Sequence, residues 1–215
     1  MNPTDISLYA ILDPARSKGR PLADLAAQAA DGGATIFQYR DKTGDTRTML
    51  ANARAIIEAL NPFNVPLLIN DRVDIALASG AQGVHVGQSD MPARDARRLL
   101  GPDAIIGLTI KEMQHVHEAP LEVLDYACMG GVFDTLSKDN PRAIGIDGWQ
   151  ELAQPFRAKM PALPVGAIAG IDHSNAAEVI EAGADGVAVI SALFMADDVR
   201  RATEELKEII EGARP

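Results

Sequence analysis

The sequence predicts an α/β fold: a closed barrel of eight parallel strands with crossover helices, (β/α)8. Short runs rich in Val, Ile and Leu alternate with helical patterns along all 215 residues. Eight such alternations indicate a parallel sheet, and eight units in a chain of this length suit a closed TIM barrel better than an open sheet. We therefore expect a single TIM-barrel domain over residues 1–215.

The predicted elements follow one another in regular order, strand before helix. The strands are expected at residues 8–12, 35–39, 66–69, 83–86, 104–108, 123–129, 165–168 and 186–189. The helices are expected at about 21–31, 46–60, 73–79, 92–100, 111–119, 147–159, 173–182 and 197–212. In such barrels the functional site lies where the strands end, so the residues that follow each strand are the candidates for function.

An internal repeat supports closure of the barrel. The segment Gly-Ala-Gln-Gly-Val-His-Val at 80–86 matches Gly-Ala-Asp-Gly-Val-Ala-Val at 183–189 in five of seven positions, four units further along. Gly33 and Ala34 begin a weaker third copy. Each leading glycine is expected to end a helix in the left-handed conformation and to turn the chain into the next strand.

Composition argues against several classes of function. The net charge of −10 disfavours a nucleic-acid partner, and it means that a phosphate site must gather its positive charge locally. Cys128 is the only cysteine, which predicts a reducing compartment. No apolar run reaches the roughly 18 residues that a membrane helix needs, and residues 1–5 lack the features of a secretory signal. We expect a cytoplasmic protein without membrane partners, and the composition leaves a homo-oligomer open.

Three polar side chains close the second predicted strand. Gln38, Arg40 and Lys42 are spaced by two, which in an extended segment places them on one face. Arg40 and Lys42 are suited to phosphate oxygens, with Gln38 hydrogen-bonding nearby. The alternative is a solvated loop with ordinary surface charges.

Asn70 and Asp71 follow the third predicted strand, and Asp90 follows the fourth. Carboxylates from neighbouring loops can share one Mg²⁺, which prefers one or two carboxylates, water and substrate phosphate. Helix capping is the alternative for each residue alone, since Asn and Asp are preferred caps. Capping does not require basic residues on the preceding strand, so the whole set favours a polyphosphate bound with a divalent metal.

Residues with hydroxyl groups follow the next two strands. Thr109, after the fifth strand, either binds phosphate or caps the helix that begins near residue 111. The segment from 130 to 147 is too long for an ordinary connection, and it carries Thr135, Ser137 and Lys138, which are good anion ligands. A polar lid without a specific ligand is the alternative for this sixth loop.

The seventh and eighth strands end in small residues. Gly170 follows the seventh strand, and Ile190 and Ser191 follow the eighth. In barrels these two loops commonly bind phosphate through backbone N–H groups and a helix N-terminus. Two tight turns without a ligand are the alternative.

Taken together, these segments resemble the thiamine-phosphate synthase family. The resemblance runs from about residue 8 to residue 202. Its most specific pieces are the motif Gln-Tyr-Arg-Asp-Lys at 38–42 and the segments at 68–74, 83–90, 167–171 and 182–191.

The resemblance implies a transferase that joins a hydroxymethylpyrimidine diphosphate to a thiazole ethyl phosphate, with Mg²⁺ as its cofactor, and releases pyrophosphate. The thiazole partner can be a carboxylated form that also loses CO₂. The family reaction is a dissociative substitution, in which pyrophosphate leaves first and the thiazole nitrogen then attacks a pyrimidine carbocation. Such chemistry needs charge neutralisation and positioning rather than a protein nucleophile.

The resemblance also implies a role for each matched residue. The residues matched to the pyrimidine diphosphate are Gln38, Arg40, Lys42, Asn70 and Lys138, of which the catalytic cations are Arg40, Lys42 and Lys138. The residues matched to Mg²⁺ are Asp71 and Asp90. Thr109 matches a serine on the pyrophosphate side. Thr135 and Ser137 match a pair of threonines that bind substrate. The residues matched to the thiazole phosphate are Gly170, Ile190 and Ser191.

The chain departs from the family pattern at three points. The sixth loop has Asp134 where the family commonly has proline, which adds negative charge near a phosphate site, and Ser137 where it has threonine. Thr109 stands in place of serine and keeps the hydroxyl. Ala169 stands where the first of two glycines is expected.

Three other functions remain as alternatives. A thiazole tautomerase, which is a related barrel, needs the phosphate-binding loops and acid–base chemistry but no diphosphate and metal site. A non-catalytic barrel that binds a phosphorylated ligand would have no metal-dependent turnover. A phosphosugar isomerase would leave the second anion site unexplained. The residues that favour the synthase are Arg40, Lys42, Asp71 and Asp90.

Overall fold

The computed structural model describes residues 4–135 and 143–214, and its strands close into a barrel. Eight parallel strands follow chain order around the barrel, so that each pairs with its neighbours in sequence. They are β1 (Leu8–Leu12), β2 (Ile36–Tyr39), β3 (Leu67–Asn70), β4 (Gly83–Val86), β5 (Ile105–Ile110), β6 (Tyr126–Gly130), β7 (Val165–Ile168) and β8 (Gly186–Val189).

Closure comes from the pairing of the first strand with the last. β1 pairs in parallel with β2 along one edge and with β8 along the other. In the closing pair, Leu8 aligns with Val187 and Tyr9 with Ala188. The sheet has no free edge, and the expected (β/α)8 barrel is confirmed.

Helices lie on the outside of the barrel, between successive strands and after β8. They are α1 (Leu22–Asp31), α2 (Thr46–Leu60), α3 (Val73–Ser79), α4 (Ala93–Leu100), α5 (Met113–Glu118), α6 (Gly145–Lys159), α7 (Ala176–Glu181), α8 (Ser191–Phe194) and α9 (Val199–Gly212). Across residues 4–135 and 143–214, no helix is long and apolar enough to cross a membrane.

Two features of the structure differ from the predicted pattern. The sixth strand begins at Tyr126 rather than at residue 123, because Leu121–Val123 forms a 3-10 turn before the strand. The one-turn helix α8 is not among the predicted elements, since four residues are too few to carry a helical period. The other boundaries agree with the prediction to within a few residues.

The core has two layers, one on each side of the sheet. Side chains that point outward from the strands, such as Leu12, Phe37 and Ile69, pack under the helices. Side chains that point inward fill the barrel, and they include two tyrosines, Tyr9 and Tyr126. Successive strand residues alternate between the two layers, as the pleat requires.

The absence of a side chain at Gly107 makes room for Tyr126. The two residues are direct neighbours across β5 and β6. A Cβ atom on Gly107 would lie 2.1 Å from Cζ of the Tyr126 ring and 2.2 Å from its hydroxyl oxygen. The ring therefore lies over the glycine, in a cross-strand arrangement that covers a residue without a side chain.

The glycines of the internal repeat have the expected conformation. Gly80 follows α3 with φ of 81°, and Gly183 stands at the equivalent place after α7 with φ of 104°. Both values lie in the left-handed region, which is easily reached by glycine. The prediction that these residues turn the chain from a helix into the next strand is confirmed.

We predict that Gly107→Ala destabilises the protein by about 1–3 kcal/mol or more, because the new methyl group overlaps the Tyr126 ring. Urea unfolding followed by circular dichroism measures the change. Gly130→Ala is the matched control, since a Cβ there meets its nearest neighbours at an ordinary 3.6 Å, and its stability should change by less than about 1 kcal/mol. Equal losses in the two variants would contradict this account of the Tyr126 packing.

Candidate active site

Two cavities open at the rim formed by the carboxyl ends of the strands. The first rim cavity, of about 570 Å³, lies at β2 to β5 and is lined by Arg40, Lys42, Asn70, Asp71, Asp90 and Thr109, among others. The second rim cavity, of about 410 Å³, lies at β7, β8 and the start of the sixth loop, and its lining includes Arg16, Thr135, Gly170, Ile190 and Ser191. Each described residue of the predicted site lines one of these cavities, except Gln38.

Gln38 lies deeper than the rest of its motif, inside the barrel. It is 1% exposed, and its Nε2 donates a hydrogen bond to the Tyr9 hydroxyl. Its Oε1 is buried without a hydrogen-bond partner among the residues that the structure describes. Arg40, two residues later, reaches the rim and pairs with the Asp13 carboxylate. A buried acceptor without a partner calls for an explanation, and a ligand N–H would supply one.

Asp71 and Asp90 form a carboxylate pair in the first rim cavity. Burial raises the pKa of Asp71 above its ordinary value, the ammonium of Lys42 opposes this effect, and the neighbouring Asp90 carboxylate adds to it. Lys42 donates a hydrogen bond directly to Asp71. The two carboxylates therefore repel each other in a partly desolvated place, where a further cation would stabilise both.

The pair fits the coordination habits of Mg²⁺. Within the described ranges, no group of three or more His, Cys, Asp or Glu residues is arranged to hold a metal ion. Mg²⁺ commonly uses only one or two carboxylates and completes its shell with water and substrate phosphate. Two carboxylates beside a cavity of this size therefore suit a metal that arrives with a phosphorylated ligand.

Helix capping does not account for these two carboxylates. The N-cap positions of α3 and α4 are occupied by Arg72 and Pro92, and neither side chain makes a capping hydrogen bond. Asp90 instead accepts a hydrogen bond of 2.8 Å from the backbone N–H of Gly87. Asp71 has φ of 61°, a left-handed conformation that Asp tolerates better than most residues. This backbone turn lies directly after β3.

Thr109 lies in β5 rather than after it, and it does not cap α5, whose N-cap position is occupied by Glu112. Its Oγ1 is 2.7 Å from Nε2 of His85. The other ring nitrogen of His85 is 2.8 Å from the Tyr126 hydroxyl. A polar connection therefore joins the first rim cavity to the interior of the barrel.

The second rim cavity combines hydroxyl groups with the start of a helix. Thr135 and Ser191 line it, and α8 begins at Ser191 directly after β8. The first N–H groups of a helix have no acceptor within the helix, so they are suited to anions. Ser137 and Lys138, the other two predicted anion ligands of the sixth loop, lie outside the described residues.

The backbone that follows β7 explains why residue 170 is glycine. It also shows the conformation of Ala169, which stands where the first of two glycines is expected. A Cβ on Gly170 would lie 2.4 Å from the carbonyl oxygen of Asp134 and 2.6 Å from Cβ of Phe133, so the glycine lets the sixth loop pass. Ala169 has φ of 89°, a conformation that usually requires glycine. Its carbonyl accepts a 3.0 Å hydrogen bond from the N–H of Phe133.

Asp13 is a site residue that the sequence analysis missed. It follows β1, is 6% exposed, and accepts a 2.9 Å hydrogen bond from the N–H of Ala15. That bond starts the turn that carries Arg16 to the second rim cavity, while the other carboxylate oxygen pairs with Arg40 of the first. The rule that residues after strands are candidates would have selected Asp13.

Arg20 was also missed, and no sequence signal points to it. Its guanidinium donates to the carbonyl of Phe194, which is 174 residues away, and to that of Ala196 at 3.0 Å. These carbonyls lie at the end of α8, so Arg20 fixes the helix that borders the second rim cavity.

A cavity of about 620 Å³ lies at the opposite end of the barrel, where strands begin. Its charged side chains already have protein partners. Arg214 donates to the Ser7 hydroxyl, and Asp185 accepts from Arg157 and from the N–H of Val165. We therefore place the candidate site at the rim, although this other cavity is larger.

The fold and the rim together define a class of protein. It is a (β/α)8-barrel enzyme with one cavity that combines cations with a carboxylate pair, and another formed by small residues, hydroxyl groups and a helix start. Both cavities are of the kind that holds phosphorylated small molecules at the rim of such barrels.

Comparison with known proteins gives the family. A family model described as thiamine monophosphate synthase matches residues 8–193. The chain is 53% identical to the thiamine-phosphate synthase of Agrobacterium fabrum over 99% of this chain and 97% of that protein, and 42% identical to that of Azorhizobium caulinodans over 99% of each. A solved thiamine phosphate pyrophosphorylase from Pyrococcus furiosus matches with a TM-score of 0.84 and 37% identity, covering 98% of both chains. The chain belongs to the thiamine-phosphate synthase family and is a transferase of that kind.

We predict that Asp90→Asn lowers the pKa of Asp71 in the metal-free protein, because it removes the repelling charge and keeps an oxygen for the Gly87 N–H. A raised pKa in the folded state favours folding at low pH, and this contribution is lost as the pH rises through that pKa. The variant should therefore be more stable than the parent at neutral pH, with the gain disappearing in acid. Carboxyl NMR titration and urea unfolding measure both effects, and an unchanged pKa of Asp71 would contradict the pairing.

We predict that Ala169→Gly stabilises the protein by about 0.5–1 kcal/mol, since relief of the left-handed strain exceeds the added entropy of the unfolded chain. Urea unfolding measures the difference. Ala167→Gly, in β7 and two residues earlier, is the matched control and should instead destabilise by about 1 kcal/mol. Destabilisation in both variants would show that Ala169 is not strained.

Proposed function

We propose that this chain joins 4-amino-2-methyl-5-hydroxymethylpyrimidine diphosphate to thiazole ethyl phosphate, or to its carboxylated form, and releases pyrophosphate. The observation that carries the proposal is the first rim cavity, where Arg40 and Lys42 stand beside the pair formed by Asp71 and Asp90. Cations next to two carboxylates suit a diphosphate that binds together with a divalent metal.

The charge of the cavity supports an anionic ligand. Arg40, Lys42 and Lys111 line it in a protein whose net charge is −10. Arg40 and Lys42 are held by Asp13 and Asp71. A diphosphate would exchange these partners for its own oxygens, and a guanidinium can bind two of them at once.

Asp71 and Asp90 are the residues that would hold Mg²⁺. When bound there, the ion would supply charge neutralisation for the diphosphate leaving group. Their mutual repulsion supports this assignment, because it is the condition that a shared cation relieves.

The other residues of the site bind and orient. We propose that Arg40 and Lys42 stabilise the departing pyrophosphate electrostatically, together with Lys138. Asn70 lines the same cavity. The buried Oε1 of Gln38 would accept a hydrogen bond from the pyrimidine amino group, which is a donor of the kind that this atom lacks. No protein nucleophile is needed for a dissociative substitution, only positioning and charge.

The second rim cavity is proposed for the thiazole phosphate. The residues proposed to hold it are Thr135, Ser137, Gly170, Ile190 and Ser191. Arg16 supplies a cation to this cavity, whose described lining also includes the carboxylates of Asp134 and Asp172. The hydroxyl groups and the start of α8 are suited to a phosphate monoester.

We propose that residues 1–215 act as one domain on phosphorylated small molecules, without a nucleic-acid partner. The cytoplasmic location follows from the single cysteine and stays a prediction.

A coupled assay of pyrophosphate release tests the function. Purified protein is incubated with both substrates and Mg²⁺, and the assay is repeated with each substrate omitted and with EDTA. We expect release only with both substrates and metal, and thiamine phosphate in the mass spectrum. Folded protein that makes no product would favour the thiazole tautomerase or a non-catalytic binder instead.

We predict that Asp71→Asn and Asp90→Asn each lower kcat/KM by about 10²–10³-fold or more, while the protein stays folded. Asparagine is preferred to alanine because position 71 is left-handed and Asn tolerates that conformation. Asp74→Asn is the matched control, since this exposed carboxylate pairs only with Arg72 among the described residues and should keep full turnover. The metal assignment fails if Asp71→Asn turns over normally, or if the control loses as much.

A further inference from the structure

A chain of hydrogen bonds crosses the barrel interior and ends at the first rim cavity. It leads from the Gln38 amide to the Tyr9 hydroxyl, then 2.7 Å to the Tyr126 hydroxyl and 2.8 Å to Nδ1 of His85. Nε2 of His85 lies 2.7 Å from Oγ1 of Thr109, which lines the cavity. The proposed function uses only the Gln38 end of this chain, and the rest of it is unexplained.

The direction of each bond follows from the number of protons. Burial raises the pKa of both Tyr9 and Tyr126, so each hydroxyl keeps its single proton. Nε2 of Gln38 can only donate, so Tyr9 accepts there and gives its own proton to Tyr126. Tyr126 has then accepted once, and it gives its proton to Nδ1 of His85.

The orientation of the Gln38 amide fixes this direction. With Nε2 toward Tyr9, one buried acceptor, Oε1, is left without a partner among the described residues. The opposite orientation would leave two buried N–H donors at the same place. One unsatisfied acceptor is the smaller penalty, and a ligand N–H can satisfy it.

We infer that the barrel interior holds His85 as the neutral Nε2–H tautomer, and that His85 is a positioning residue for Thr109. Nδ1 accepts from Tyr126, and Nε2–H donates to Oγ1 of Thr109. His85 is the one side-chain partner of that oxygen among the described residues. The Thr109 hydroxyl therefore has its own proton available for the first rim cavity, which it lines. The tautomer of a histidine is set in this way by the partner of its other nitrogen.

The direction of the Thr109 proton matters for an anionic ligand. Phosphate oxygens accept hydrogen bonds, so they are bound by a hydroxyl that offers its proton and not by one that is turned inward. This step rests on the proposed function, because it takes a pyrophosphate group as the ligand.

Without the Tyr126 hydroxyl, the His85 proton is free to move to Nδ1. Nε2 then accepts from Thr109, and the hydroxyl proton turns away from the cavity.

The tautomer is measurable in the ligand-free protein. Long-range ¹H–¹⁵N correlation spectra at mildly alkaline pH report which imidazole nitrogen carries the proton, and the chain has only four histidines. A His85→Gln sample assigns the signals by difference. We expect Nδ1 of His85 far downfield of Nε2, as in the neutral Nε2–H form. A proton on Nδ1 would overturn the inference, whatever the activity of the enzyme.

Two tyrosine variants distinguish control of the His85 tautomer from the general effect of losing a buried tyrosine hydroxyl. Tyr126→Phe should change the ¹⁵N pattern of His85. Tyr39→Phe is the matched control, because its hydroxyl bonds to Asp41 at 3.0 Å and Asn52 at 3.1 Å in the layer outside the barrel. The pattern should stay unchanged in the control. An unchanged pattern in Tyr126→Phe would overturn the inference, and if that variant does not fold, the measurement on the parent decides.

A double-mutant cycle tests the link to the ligand, with inorganic pyrophosphate and Mg²⁺ as the probe in calorimetry. Thr109→Val and Tyr126→Phe should each weaken binding by about 10-fold. The double variant should bind little worse than either single variant, because both remove the same donated proton. Additive losses, or no loss in Thr109→Val, would overturn the positioning role. Pyrophosphate binding does not require turnover, so failure of the synthase assay would leave this test intact.

Discussion

The closure of the sheet by β1 and β8 is the constraint on which the rest of the structure depends. It brings all strand ends to one rim and leaves an interior of fixed width that inward-pointing side chains must fill. Tyr9 and Tyr126 fill part of that space, with Gly107 making room for the second ring. A buried hydroxyl needs a hydrogen-bond partner, so filling the barrel with tyrosines creates the polar chain that ends at His85 and Thr109. The side chains that fill the core therefore also make the hydrogen bonds that reach the site.

At the rim, two of the cations are likewise paired with protein carboxylates. Arg40 and Lys42 have carboxylate partners in Asp13 and Asp71, so neither of these two cations is isolated. In the proposed function, an anionic ligand would replace these partners, and the Asp71 carboxylate that it displaces would become available to a metal. Asp13 also connects Arg40 to the border of the second cavity, because its other oxygen orders the turn that carries Arg16.

The sequence predicts most of the fold because eight strand–helix units each carry a local signal, which needs no knowledge of distant partners. The same holds for the position of Arg40, Asp71 and Asp90 at the rim, since Arg40 and Asp71 directly follow strands and Asp90 lies in the loop after β4. Prediction from the sequence fails where the role of a residue depends on contacts between segments that are distant in the chain. Arg20 acts on carbonyls at the far end of the chain, and the connection from Tyr9 to Tyr126 spans 117 residues. Helix α8 is too short to carry a period, although it borders the second cavity.

Strained backbone positions likewise differ in cause: some are tolerated for local reasons, and others are held by distant segments. Asp71 and Ala169 are both left-handed, and both lie directly after strands that border the cavities. Asp tolerates this conformation through its own side chain, so position 71 needs no help from elsewhere. Ala does not, and it is held by the sixth loop, whose Gly131 and Phe133 N–H groups bond to the carbonyls of Ile168 and Ala169 at 3.1 and 3.0 Å. The Ala169 carbonyl, which this turn presents to the sixth loop, thus fixes the start of that loop. This contact explains why the strained residue persists beside the second cavity.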